Sequence, residues 1–188
     1  MDLSSPQRND VMKAQGLTLL ELLITLSILC ITLTIGIPSL NKQISDSRTK
    51  TAALALLDAI ETTRSTAVFR NQHVILNATN RKWHEGWTLF VDNNHNGTLD
   101  SDDEVLNVNE ELGAVITQAS GQIRNYVAFI GTGEGRQLGA GGTGGFLVGT
   151  IKICSTTKGE GYSLVLSKGG RTRVGKMTSA ECDAIREH

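Results

Sequence analysis

At 188 residues, with 18 basic against 19 acidic side chains and a net charge of −1, the chain has room for one globular head of ordinary size. These totals exclude a polycationic nucleic-acid coat and an acidic disordered tail. They hide an uneven distribution: residues 85–111 carry eight acids and no Lys or Arg, whereas residues 151–177 carry six bases against the single acid Glu160. A head that folds these segments onto different faces is electrically lopsided.

Residues 1–16 are polar, with Arg8 and Lys13 ahead of an apolar stretch over 17–40 that is dominated by Leu, Ile and Thr. From 22 to 37, sixteen consecutive residues carry no charge, and Pro38 follows. Counted over 17–40, the stretch reaches the roughly 20 residues that a membrane span needs, and the preceding positive charges predict a cytoplasmic N-terminus with the remainder exported. An ordinary secretory signal places its small-residue cleavage site after the apolar region. Here the order is reversed: the plausible cut, Gly16–Leu17, precedes it, leaving Glu21 as a lone acid in the first turn of an apolar helix. A carboxylate in lipid is costly and marks a functional site. Pro38 removes a backbone donor and should kink or loosen the helix. Beyond it, Leu40, Ile44, Thr51, Leu54, Leu57 and alanines 52, 53, 55 and 59 predict an amphipathic continuation to about Ala67.

Gly16-Leu17-Thr18-Leu19-Leu20-Glu21 resembles the cleavage motif of type IV prepilins, with Leu17 where that family usually has Phe. The resemblance implies that a prepilin peptidase cuts after Gly16 and that the new terminal residue, Leu17, is N-methylated. The family's first-turn glutamate falls on Glu21 and its helix proline on Pro38, both implied to serve assembly. Glu21 would pair with the terminal amine of a neighbouring subunit, an attraction that offsets part of the desolvation cost in a low dielectric. The implied organisation is a leader over 1–16, a transmembrane and filament-core helix over 17–40, and a periplasmic head over 41–188, held single-pass in the bacterial inner membrane until assembly.

After residue 73 the period shortens, and β-branched and aromatic runs predict strands over 73–76, 87–91, 104–108, 126–130, 146–154, 162–167 and 171–176. Asn96-Gly97, the glycines around 139–142 and Lys168-Gly169-Gly170 supply turns. The expected fold is α+β, with the long N-terminal helix packed on an antiparallel sheet. Residues 131–145 hold eight glycines but lack the Gly-Lys-Ser/Thr ending of a phosphate loop and read as a surface loop. Cys30 lies in the apolar run, so only Cys154 and Cys182 can form a bridge in an exported domain, closing a loop worth about 3–4 kcal/mol. Two unrelated thiols are the alternative.

Two segments carry candidate sites. Asp92, Asn94, Asn96, Asp100 and Asp103, with Gly97 between them, have the oxygen spacing of an EF-hand-type calcium loop. Asp103 stands where Glu is the usual bidentate ligand, however, and the flanks read as strands, so an Asx-rich hairpin turn is the competing reading. Gly170-Arg171-Thr172-Arg173 leads into the last strand, where alternation places Arg171 and Arg173 on one face with Lys168 and Lys176 near the ends. Such a row can contact successive phosphates in a salt-sensitive, sequence-independent way; charge protecting an edge strand is the alternative.

Residues 85–92 and 170–174 are similar to FimT/GspH-like minor pilins and pseudopilins. That resemblance implies a low-abundance subunit priming or capping type IV pilus assembly. Its partners would be minor and major pilins, the inner-membrane assembly machinery and prepilin peptidase. In some FimT-like pilins a matching Gly-Arg-x-Arg element is associated with capture of double-stranded DNA during natural transformation, which would place Lys168, Gly170, Arg171, Arg173 and Lys176 at such a site. An H-type pseudopilin of a type II secretion system and a calcium-binding tip adhesin remain open. The four histidines show no metal-ligand spacing and no Gly-x-Ser-x-Gly elbow is present, so catalysis and a catalytic site are not expected.

Overall fold

The structure, a computed structural model, describes residues 18–137 and 144–187, without the side chains at 35, 36, 38 and 39. Gly16 and Leu17 lie outside the described residues. The chain divides into two compact units, Met1–Leu40 and Asn41–His188. Helix α1 is assigned over Leu19–Arg70, so residue 38 lies within a helical span.

In the first unit, Thr18 stands just ahead of α1 and its hydroxyl accepts the Glu21 amide at 3.2 Å, a capping interaction that ties down one orphan donor of the first turn. The hydroxyls of Thr25, Ser27, Thr32 and Thr34 each donate to a carbonyl three or four residues earlier. These four hydroxyls are thereby satisfied within the helix itself. Among the described residues no helix is long and apolar enough to cross a membrane.

In the second unit, α1 buries Thr49, Ala52, Ala53, Leu56, Ala59, Ile60, Thr63 and Ala67, a stripe at helical spacing. Thr49 and Thr63 sit in this apolar stripe because their hydroxyls donate back to the carbonyls of Ser45 and Ala59. The helix ends three residues beyond the predicted Ala67. Asn71 adopts the left-handed region at φ 51°, while the Asn71 and Gln72 amides donate to the carbonyls of Val68 and Ala67. This double closure satisfies the last carbonyls and stops the helix.

Eight strands follow: β1 Val74–Ala78, β2 Trp87–Val91, β3 Glu104–Asn109, β4 Val115–Gly121, β5 Tyr126–Phe129, β6 Gly149–Ser155, β7 Gly161–Leu166 and β8 Thr172–Met177. A short helix, α2, closes the head over Ser179–Arg186. The strands form two antiparallel four-stranded sheets, ordered β3-β2-β1-β5 and β4-β6-β7-β8, where the sequence reading has one sheet and lacks β4 and α2. The α+β class holds. One core cluster joins the α1 stripe to both sheets, and Trp83, fully buried within it, donates its indole N–H to the Ile123 carbonyl at 3.1 Å. A second, smaller cluster of Cys154, Met177, Cys182 and Ile185 lies where α2 meets the other sheet.

Candidate functional site

The basic segment becomes the turn between β7 and β8 together with β8, an edge strand that among the described residues pairs only with β7. Arg173 is opposite Val165 and Thr172 is opposite Leu166, while β6 and β7 align Thr150 with Val165. Because Leu164 and Leu166 belong to the core, Arg173 points away from it, as period-two alternation requires. The next row on the outward side comprises Gly175, Ser163 and Lys152. Lys152 is therefore a cation on the same face as Arg173, one that sequence reading missed because only the strand register brings it there. Arg171 is exposed and immediately precedes the strand; its carbonyl accepts from the Ser167 amide and hydroxyl. Lys168 is exposed on the turn. Lys176 is opposite Tyr162, so it belongs to the other side and does not extend the arginine row.

Gly170 has a backbone role in this element. It is buried at φ +75°, and a Cβ there would lie 2.2 Å from the Gly133 carbonyl oxygen. Only glycine meets both demands, so the turn is held against the head and the arginines start from a fixed backbone. At the far end of β8, Cys154 and Cys182 form a disulfide with a Cα–Cα distance of 5.7 Å. Thr178 caps α2: its hydroxyl accepts the Glu181 amide while the Glu181 carboxylate accepts the Thr178 amide at 2.7 Å. The Thr178 hydroxyl also donates to that carboxylate at 2.9 Å, and the two donors, the backbone amide first and then the hydroxyl, lower the Glu181 pKa from its ordinary value. Strand β8 is thus pinned by a glycine turn at one end and by a capped, cross-linked helix at the other.

The family model described as Type II transport protein GspH matches residues 52–170, from the buried stripe of α1 to the glycine that opens the arginine turn. The chain belongs to the GspH family. The crystal structure of the Pseudomonas aeruginosa (strain PAO1) type IV minor pilin FimU, at 18% identity, superposes with a TM-score of 0.52 over 71% of this chain and 91% of that one. A second crystal form of FimU gives 19% identity, 70% and 94% coverage and a TM-score of 0.50. The minor pseudopilin EpsH from the Type 2 Secretion System of Vibrio cholerae gives 12% identity, 68% and 96% coverage and 0.49. No curated protein matches. At these identities the likeness to FimU concerns the fold: a helix packed on antiparallel sheets.

The other candidate site of this GspH-family chain is the acidic loop between β2 and β3. Asp92 is almost fully buried, and its two oxygens accept the amides of Asn96 and Gly97 at 3.1 and 3.0 Å. Asp103 accepts the amides of Asn93 and Asp100, and Asp100 accepts the side-chain amides of Asn94 and Asn96 at 2.9 and 2.6 Å. These bonds, with the Asp102 amide, hold Asp100 below its ordinary pKa, the Asn94 contact contributing most. Oxygens that calcium would need converge on N–H donors instead. Among the described residues no group of three or more His, Cys, Asp or Glu is placed to hold a metal ion. In this arrangement the five candidate side chains are held by hydrogen bonds within an Asx-rich turn. Beside it, the rings of His73 and His95 stand 4.0 Å apart.

Proposed function

We propose that this chain is a minor pilin that primes or caps a type IV filament and contacts the DNA backbone through Arg171 and Arg173. One observation carries the DNA reading. The two guanidinium groups lie on and beside an exposed, braced edge strand, and among the described residues neither makes an ion pair. A charge needed only to keep an edge soluble does not require a backbone fixed at both ends. Lys152 and Lys168 extend the positive surface, and the paucity of aromatic residues on the strand favours duplex phosphates over stacked single-strand bases.

The remainder of the reading concerns the N-terminus. Cleavage between Gly16 and Leu17 and methylation of the Leu17 amine would yield the mature subunit, anchored in the inner membrane with its head in the periplasm. Glu21 and Pro38 would then act during packing against other pilins. The test of the DNA reading is a titration of the full chain in mild detergent with duplex DNA across a salt series. Replacing both arginines by alanine should weaken binding at least about tenfold at low salt and reduce the log–log salt slope by about 2. Equal affinity and equal slope in the variant would refute it.

The family match itself favours a second reading, a pseudopilin of a type II secretion system. Deleting the gene in its host separates the two: loss of surface pili supports the minor pilin, and loss of protein secretion with normal pili supports the pseudopilin.

A further inference from the structure

Each sheet has two edges, and the head treats the four differently. The free side of β5 is covered by the chain that follows it, the Arg136 amide donating to the Ala128 carbonyl at 3.0 Å and Ile130 pairing with Glu134. On β4, the Thr117 hydroxyl accepts the His84 amide and shares a hydrogen bond with the His84 ring, which lays the His84 turn against that strand. The edges of β3 and β8 have no such cover among the described residues. Each is six residues long and each presents an exposed valine: Val105 and Val108 on β3, Val174 on β8.

Their charges are opposite. Asp102, Asp103, Glu104, Glu110 and Glu111 occur on or next to β3, Glu104 already paired with Arg70 of α1, and Lys168, Arg171, Arg173 and Lys176 occur on or next to β8. A groove of about 240 Å³ also runs between β3 and α1, floored by Ala55 and Ala59 and rimmed by Asp58 and Asn107. An uncovered edge is a template for another strand, and a groove beneath it gives the inward side chains of that strand somewhere to go.

We infer that β3 of one copy receives β8 of a second copy, joining the acidic edge of one head to the basic edge of the next. In β8, Thr172, Val174 and Lys176 share the core side. Laid along β3 with that side toward α1, the strand sets Val174 over the alanine floor and Lys176 toward Asp58. Arg173 then lies on the opposite face with Val105 and Val108. The contact is heterologous, since one edge meets a different edge, so each added copy leaves one β3 and one β8 free and the assembly grows as an open row. It does not depend on DNA binding.

The test uses the full chain in detergent with Cys30 replaced by serine. One preparation carries Asn107→Cys and a second, tagged preparation carries Val174→Cys; both positions belong to the groove side of the proposed joint sheet. Under mild oxidation the mixture should form the mixed disulfide at least about tenfold faster than either preparation links to itself. The yield should fall severalfold as ionic strength rises from roughly 0.05 to 0.5 M, and Lys176→Glu, an exposed change, should lower it at low salt. Self-linking of Asn107→Cys at the rate of the mixture would replace the inference with a β3–β3 contact, and absence of any mixed product would overturn it.

Discussion

Replacing Cys154 and Cys182 together by alanine removes a cross-link between β6 and α2 whose partners are 28 residues apart. In the chain-entropy account a loop of that length constrains the unfolded state by about 3–4 kcal/mol. Both half-cystines are fully buried beside Met177 and Ile185, so the variant also loses two sulfur atoms from a small cluster, a further loss of about 1–2 kcal/mol. The expected total, about 4–6 kcal/mol, is a large fraction of the stability of a domain this size and corresponds to a Tm lower by roughly 10–20 °C. Thermal melts of the double variant, and of the parent with and without reductant, measure it. Because α2 and Met177 hold the end of β8, DNA affinity should fall along with stability. A Tm within about 2 °C of the parent would show that α2 is held by its packing alone and that the bridge does not brace the basic strand.

Gly170→Ala should cost about 1–3 kcal/mol, since it combines a positive φ with a Cβ set against a carbonyl oxygen, whereas Gly169→Ala, with nothing within 4 Å, should be close to neutral; chemical denaturation of both variants compares them. Millimolar calcium should produce no binding heat and no change in melting temperature, because the acidic loop spends its oxygens on its own amides. Burial lowers the pKa of both His73 and His84, with the charge of His95 adding to the effect at His73. The unfolded chain then binds more protons, so stability should be fully present above the ordinary value of 6.5 and be lost as pH falls through the lower folded values. Denaturation midpoints at about pH 7.5 and 5.5 should differ less in a His73→Gln/His84→Gln double variant, and an unchanged difference would assign the effect to other groups.

What the sequence made legible was local. Strand β2 falls on its predicted residues because an aromatic and β-branched run is bounded by Gly86 and Asp92. The helix is readable from its alanine-rich stripe, and the bridge from the placement of its cysteines outside the apolar run. Strand β4 escaped because its sequence, VITQASG, is mostly half-exposed and gains its strand character from pairing along its whole length with β6. Helix α2 carries a readable signal, Thr178 with Glu181 three residues later, but it is only eight residues long and its charged residues mask the apolar pair Cys182 and Ile185. The division into two sheets was not legible, since the return of β5 to β1 is a choice between distant partners. At the site, the outward side of Arg173 could be read from alternation, whereas Lys152, the buried position of Gly170 and the turning of the acidic oxygens toward loop amides depend on structure that the local pattern does not reveal.

The interleaving of the sheets has a kinetic consequence. Strands one, two, three and five build one sheet, and strands four, six, seven and eight build the other. The chain therefore leaves the first sheet, begins the second and returns before either is complete. Neither sheet can be finished as an autonomous piece, and the pairings that complete them join residues with long intervening loops. Folding should be slow, on the order of milliseconds to seconds, and should occur in one cooperative step. During that interval the nascent sheets expose more pairing edges than the finished head does, so the period before closure is when a newly made chain most needs to be kept apart from its neighbours.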